Sequence, residues 1–176
     1  MATLQWTLDP AHSEAQFKVR HMGVSNVSGE FKTFDVTFTS EDSDFLTAKA
    51  TFTAPIDSIS TGVEHRDNHL KSDDFFDAIH HPTIFFESTQ FSRISEDELE
   101  MTGNMTMRGV QHREVFKVIN NGIIVDPYGN HRTGFEISGK INRFDYGLKY
   151  NDLMELGGMV VGNDIRILVN VELFHK

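Results

Sequence analysis

The chain is 176 residues long, with 26 acidic and 16 basic side chains, a formal net charge of −10 and no cysteine. Residues 1–176 are read as a single domain, long enough to bury a core without metal or disulfide support. The charge argues against nucleic acid and anionic membrane surfaces as partners, the missing thiols exclude disulfide scaffolds and thiol catalysis, and no apolar run approaches the roughly 18 residues of a membrane-spanning helix.

From the N-terminus, Met1 to Trp6 runs directly into strand-like sequence with no basic stretch followed by an apolar region. The expectation is a cytoplasmic protein, or a periplasmic one had a leader been removed. His12 to His21 then alternates, placing Ser13, Ala15, Phe17, Val19 and His21 on one side and Glu14, Gln16, Lys18 and Arg20 on the other. That is a half-buried strand whose inward row ends in an imidazole. After a turn at Gly23 to Asn26, Val27 to Phe38 changes parity between Phe31 and the Phe34, Val36, Phe38 row, which predicts a bulge that bends the strand. Leu46, Ala48, Ala50, Phe52, Ala54 and Ile56 form the next inward row.

Thr61-Gly-Val-Glu64 has the form of a capping box and predicts a helix from about Gly62 to Lys71. A second turn follows over Ser72 to Ile79 and stops before His81-Pro82, with Leu70, Phe75, Phe76 and Ile79 as its apolar contacts. His65 and His69 share a helix face at metal-ligand spacing, but Arg66 stands where a zinc-protease helix would carry glutamate. Asp73, Asp74 and Asp77 read as a solvated acidic face rather than a paired acid and base.

Further strands place Ile84, Phe86 and Ser88 in one row and Leu99, Met101, Gly103, Met105 and Met107 in another. A sixth strand fits either Phe116 and Val118 or Val115 and Lys117 facing inward. Asp126 to Asn130 is a turn. Phe135, Ile137, Gly139, Ile141 and Arg143 share a parity, and Ile165 to Leu173 closes the chain. About eight short strands without long helices predict an antiparallel meander that closes into a barrel, with an open sandwich as the alternative. No nucleophile elbow, phosphate loop or dinucleotide fingerprint is present, so the protein is read as non-catalytic, with no cofactor and no bound metal.

Several segments together resemble the YceI-like family of lipocalin-like, polyisoprenoid-binding proteins. They are Asp9-Pro-Ala-His12-Ser13 with Phe17-Lys-Val-Arg-His21, Gly29-Glu-Phe31, Ser58-Ile-Ser-Thr61-Gly62, Arg66-Asp67-Asn-His69-Leu70 through Asp77, Pro82 through Ser88, Met107-Arg108-Gly109-Val110, and Asn142-Arg143 through Leu148. The resemblance implies an all-β, eight-stranded antiparallel lipocalin-like barrel with a short helical insertion, holding a long isoprenoid or quinone-like lipid. It also leaves a homodimer open. Two departures are the missing export signal and His80-His81, where relatives more often carry an aromatic before the proline.

On this basis Phe17, Val19, Phe31, Phe52, Phe86, Met101, Met105, Phe135 and Ile137 are expected to line a tail channel. His12, His21, Arg66, His69 and Arg143 are the candidates for the lipid head group, a phosphate, pyrophosphate or quinone. Arginine can grip phosphate oxygens and histidine can hydrogen-bond a carbonyl. The alternatives are a metal-dependent hydrolase built on the histidine-rich helix region and a stress-associated structural or interaction module with a filled interior.

Overall fold

The computed structural model describes residues 3–41, 43–150 and 161–176. Among these, alternation of apolar and polar residues produces β1 (Leu4–Leu8), β2 (Glu14–His21), β3 (Ser25–Phe31), β4 (Asp35–Ser40), β5 (Lys49–Pro55), β6 (Ile59–Ser60), β7 (Thr83–Arg93), β8 (Glu98–Met107), β9 (Val110–Val125), β10 (His131–Asn142) and β11 (Val161–His175). One helix, α1 (Glu64–Lys71), lies between β6 and β7. No helix among the described residues is long and apolar enough to cross a membrane.

All strand pairs are antiparallel, and Thr7↔Phe174 with Leu8↔Leu173 joins the first strand to the last. The sheet is therefore a closed barrel rather than an open sandwich. Six of the segments are halves of three bent strands, β1/β2, β3/β4 and β5/β6, so the barrel has eight strands in meander order. Each bend has a local cause. Pro10 opens a short 3-10 turn whose Asp9 side chain accepts from the Ala11 N–H. The parity change after Phe31 appears as a break over residues 32–34 instead of a bulge within one strand. There the Lys32 N–H donates to the Ser58 carbonyl and the Ser58 hydroxyl to the Thr33 carbonyl, tying the second bend to the third.

Inward rows follow the period-two rule closely. Leu99, Met101, Gly103, Met105 and Met107 are all buried, and in β9 Phe116 and Val118 face inward while Val115 is exposed. Three local expectations fail. Leu46 is exposed and precedes β5, which starts only at Lys49. Ile79 is 90% exposed, so it is no core contact; Phe75 and Phe76 are. The capping box does not form, because α1 starts two residues later with Val63 at its N-cap. Asp67 instead accepts from both the N–H and the hydroxyl of Thr61, at 2.8 and 2.6 Å.

Strand direction defines two ends. At the base, Trp6, Phe38, Phe45 and Phe135 interlock with ring centroids 5.0 to 5.9 Å apart. Phe45 is fully buried although its φ is +64°, a conformation costly for a bulky side chain and held here by burial. At the rim lie the β2–β3 hairpin, α1 and its following turn, the β8–β9 turn, and a short 3-10 turn over Arg143–Tyr146.

Candidate functional site: an apolar lumen and its rim

Between base and rim the inward rows surround a cavity of about 130 Å³, counted as the volume open to a water molecule's centre. That is room for on the order of ten waters, or a comparable number of chain carbons. Its wall includes Phe17, Phe31, Phe52, Phe86, Met101, Met105, Phe135 and Ile137, eight of the nine tail-channel candidates. Val19 shares their row but stands nearer the rim, outside the wall, opposite Ile165 and Val27. Phe38, Ile84, Phe91, Phe116 and Leu173 also contribute, together with the two polar residues Gln16 and Thr51. Among the described residues no charged side chain lines the cavity.

The five head-group candidates are distributed unequally. His12 is on the outer wall, its Nδ1 2.9 Å from Asp9 Oδ2, far in the fold from the rim group. The Asp9 carboxylate raises its pKa. Asp9, His12 and Glu172 are the one set of potential metal ligands that converges among the described residues. Arg132 already occupies it, donating to Asp9 and Glu172 at 3.0 Å each. His65 and His69 join no such set. Arg66 is turned onto Thr61, donating from Nε to the hydroxyl at 2.7 Å and from its other nitrogen to the carbonyl at 2.8 Å. His69 pairs with Asp74 at 2.8 Å and packs edge-on against Phe75 and Tyr150. His80 pairs with Asp77.

Arg143 is only 2% exposed. Its guanidinium donates to four backbone carbonyls: Gly162 at 2.8 Å, Leu148 at 2.6 Å, Tyr150 at 2.8 Å and Val161 at 3.2 Å. Burial pushes its pKa below the ordinary arginine value. His21 pairs in register with Val161, and Tyr150 contacts His69. The fold thus gathers Arg143, His21 and His69 on one side of the rim. Arg143 serves there as a clamp on the two flanks of segment 151–160.

Two rim residues absent from the candidates are Glu114 and Tyr146. Glu114 shares the inward parity of Phe116, opposite Gly103, and accepts a 2.6 Å hydrogen bond from the Tyr146 hydroxyl. Burial raises the Glu114 pKa despite that bond, and burial with the carboxylate raises that of Tyr146. Assigning the register of β9 would have revealed Glu114, since its parity follows from Phe116.

These features define a lipocalin-like binding barrel: a closed antiparallel meander around an apolar lumen, plugged by aromatic rings at one end. The sequence matches the YceI-like domain family over residues 6–173. A UPF0312 protein of Staphylococcus aureus is 39% identical over 168 residues, covering 95% of each chain. Among solved structures, the Campylobacter jejuni YceI protein superposes with a TM-score of 0.78 at 32% identity, over 97% of both chains. A polyisoprenoid binding domain from Saccharophagus degradans shares the fold, with a TM-score of 0.70, 13% identity and coverage of 96% of this chain and 97% of that one. The chain belongs to the YceI-like family.

Proposed function

We propose that the protein is a non-catalytic carrier that encloses the chain of an uncharged, isoprenoid-like lipid. The observation that carries this is the lumen wall, which among the described residues is apolar except for Gln16 and Thr51 and includes no ionisable side chain. Burying each methylene in such a wall gains about 0.8 kcal/mol, so about ten carbons supply a gross 8 kcal/mol, the scale of micromolar affinity before ordering costs. A longer chain gains more only by displacing wall side chains or projecting past the rim.

The electrostatics favour a neutral head group over the phosphate considered from sequence. Arg66, Arg108 and Arg143, arginines of the rim described above, all donate to acceptors of the protein itself. Glu114 places a carboxyl group at the rim whose pKa burial raises. An anionic head group would find these guanidinium groups already engaged, whereas a quinone or alcohol needs only one or two hydrogen bonds. The named ligand class of the Saccharophagus degradans domain supports an isoprenoid chain.

Protein purified without detergent, extracted with organic solvent and analysed by mass spectrometry tests this directly. A prenol or prenylquinone near one equivalent is expected. A polyprenyl phosphate in its place overturns the neutral head group. An extract empty of lipid, together with no uptake of added prenol, overturns the carrier.

A further inference from the structure

Three inward-facing glycines each stand beside a phenylalanine ring. The ring end of Phe17 lies where a Cβ on Gly29 would be, with Cζ 2.3 Å from that position. Phe116 Cδ1 lies 2.5 Å from the Cβ position of Gly139, and Phe86 Cζ 2.4 Å from that of Gly103. Real Cβ atoms essentially never come this close to another heavy atom. Phe17 and Gly29 are direct cross-strand partners on β2 and β3. Gly103 lies on β8 beside the β7 strand that carries Phe86, and Gly139 on β10 beside the β9 strand that carries Phe116. All three rings belong to the cavity wall.

We propose that Gly29, Gly103 and Gly139 set the bore of the lumen by giving these three rings a place to lie along the wall instead of across the axis. Mid-strand glycine forgoes side-chain packing and marks close approach by another group. Here the approaching group is an aromatic side chain from the adjacent strand, an arrangement also known to protect glycine in sheets. Its consequence is geometric: with any larger residue at these positions the ring must turn inward. Phe86 and Phe116 are already in edge contact at 5.4 Å, so an inward turn of Phe116 leads into space shared with Phe86 and any guest. The glycines are therefore specificity-determining residues that never touch the guest. Their bore fixes how thick a chain can enter, and this extends the lipid-carrier function proposed above.

Gly103 is unsuited to a test, because its added Cβ would also lie 2.4 Å from the Glu87 backbone carbonyl. At Gly29 and Gly139 the nearest atoms are ring atoms only. The experiment compares wild type, Gly29→Ala, Gly139→Ala, and the double variants Gly29→Ala/Phe17→Leu and Gly139→Ala/Phe116→Leu, each checked for folding by circular dichroism. Xenon binding followed by NMR reads the free interior whatever the natural ligand, since a dry apolar cavity takes up xenon. Titration with farnesol and geranylgeraniol reads carriage of a chain.

The alanine variants are expected to lose xenon uptake, and to lose about tenfold in prenol affinity if two methylenes' room disappears. The leucine double variants should recover both. Folded alanine variants with wild-type xenon uptake overturn the bore assignment, even where prenols bind well. Wild type that takes up xenon but no prenol overturns the carrier function and leaves the bore assignment to be decided by the xenon comparison. Should both alanine variants fail to fold, the double variants decide: folded and xenon-binding supports the assignment, unfolded overturns it.

Discussion

Replacing Arg143 with methionine keeps a stem of similar length and removes the guanidinium, and the cost follows from its four carbonyl partners. Hydrogen bonds from a charged donor contribute about 1.5 kcal/mol each at the low end, roughly 6 kcal/mol gross for four. Relief from burying a charge returns several kcal/mol, since desolvating a guanidinium is costly. The carbonyls of Leu148, Tyr150, Val161 and Gly162 are left short of a donor. A net loss of about 3 kcal/mol is expected, which lowers the melting temperature by roughly 6 to 12 °C for a chain of this size. Thermal unfolding by circular dichroism measures it, and amide exchange should accelerate at residues 148–150 and 161–162. Affinities for a prenol and for its phosphate should fall together, because the arginine holds backbone rather than ligand. A methionine variant that melts with the wild type but selectively loses the phosphorylated ligand would show that the guanidinium turns to the guest, refuting the clamp.

Phe45→Ala removes the fully buried ring that joins Trp6, Phe38 and Phe135 at the base. It should cost about 4 kcal/mol in urea unfolding, and a loss under about 1 kcal/mol would mean the base can repack. Asp126 has its pKa lowered from 3.8 to about 2, chiefly by the hydrogen bond from Arg132. Its stabilisation is present above pH 3.8 and lost as pH falls toward 2, so Asp126→Asn should flatten that part of the acid limb in a pH series of melting temperatures; an unchanged limb rejects the pairing. Glu114 shows the opposite sign. Its raised folded pKa favours the protonated form, so stability declines as pH rises through it, and Glu114→Gln should stabilise the protein at pH 7 relative to wild type while matching it near pH 4. Equal differences at both pH values would dissociate Glu114 from that decline.

The strands were legible because burial of one face imposes a strict two-residue period, and the Met101-Gly103-Met105 row and the Phe135-Ile137 row are positioned as that period demands. The barrel's closure was only partly legible, since periodicity is silent on whether Thr7 meets Phe174. Parity also placed Arg143 inward but could not name its partners, which come from backbone 5 to 19 residues further along. Parity therefore read Arg143 as a head-group grip, whereas its described partners are the backbone carbonyls of Leu148, Tyr150, Val161 and Gly162. Phe45 was missed because it sits in an irregular connection with left-handed backbone, where no period operates. Ile79 misled for the complementary reason: an apolar residue in a turn carries no information about facing.

The interlocked rings beneath the barrel make it a blind vessel. On the carrier function proposed above, a guest with a bulky terminus enters thread-first and leaves by the same door, so donor and recipient are served in turn. At the rim α1 has no fully buried residue, whereas opening the floor means extracting Phe45, which has no exposed surface.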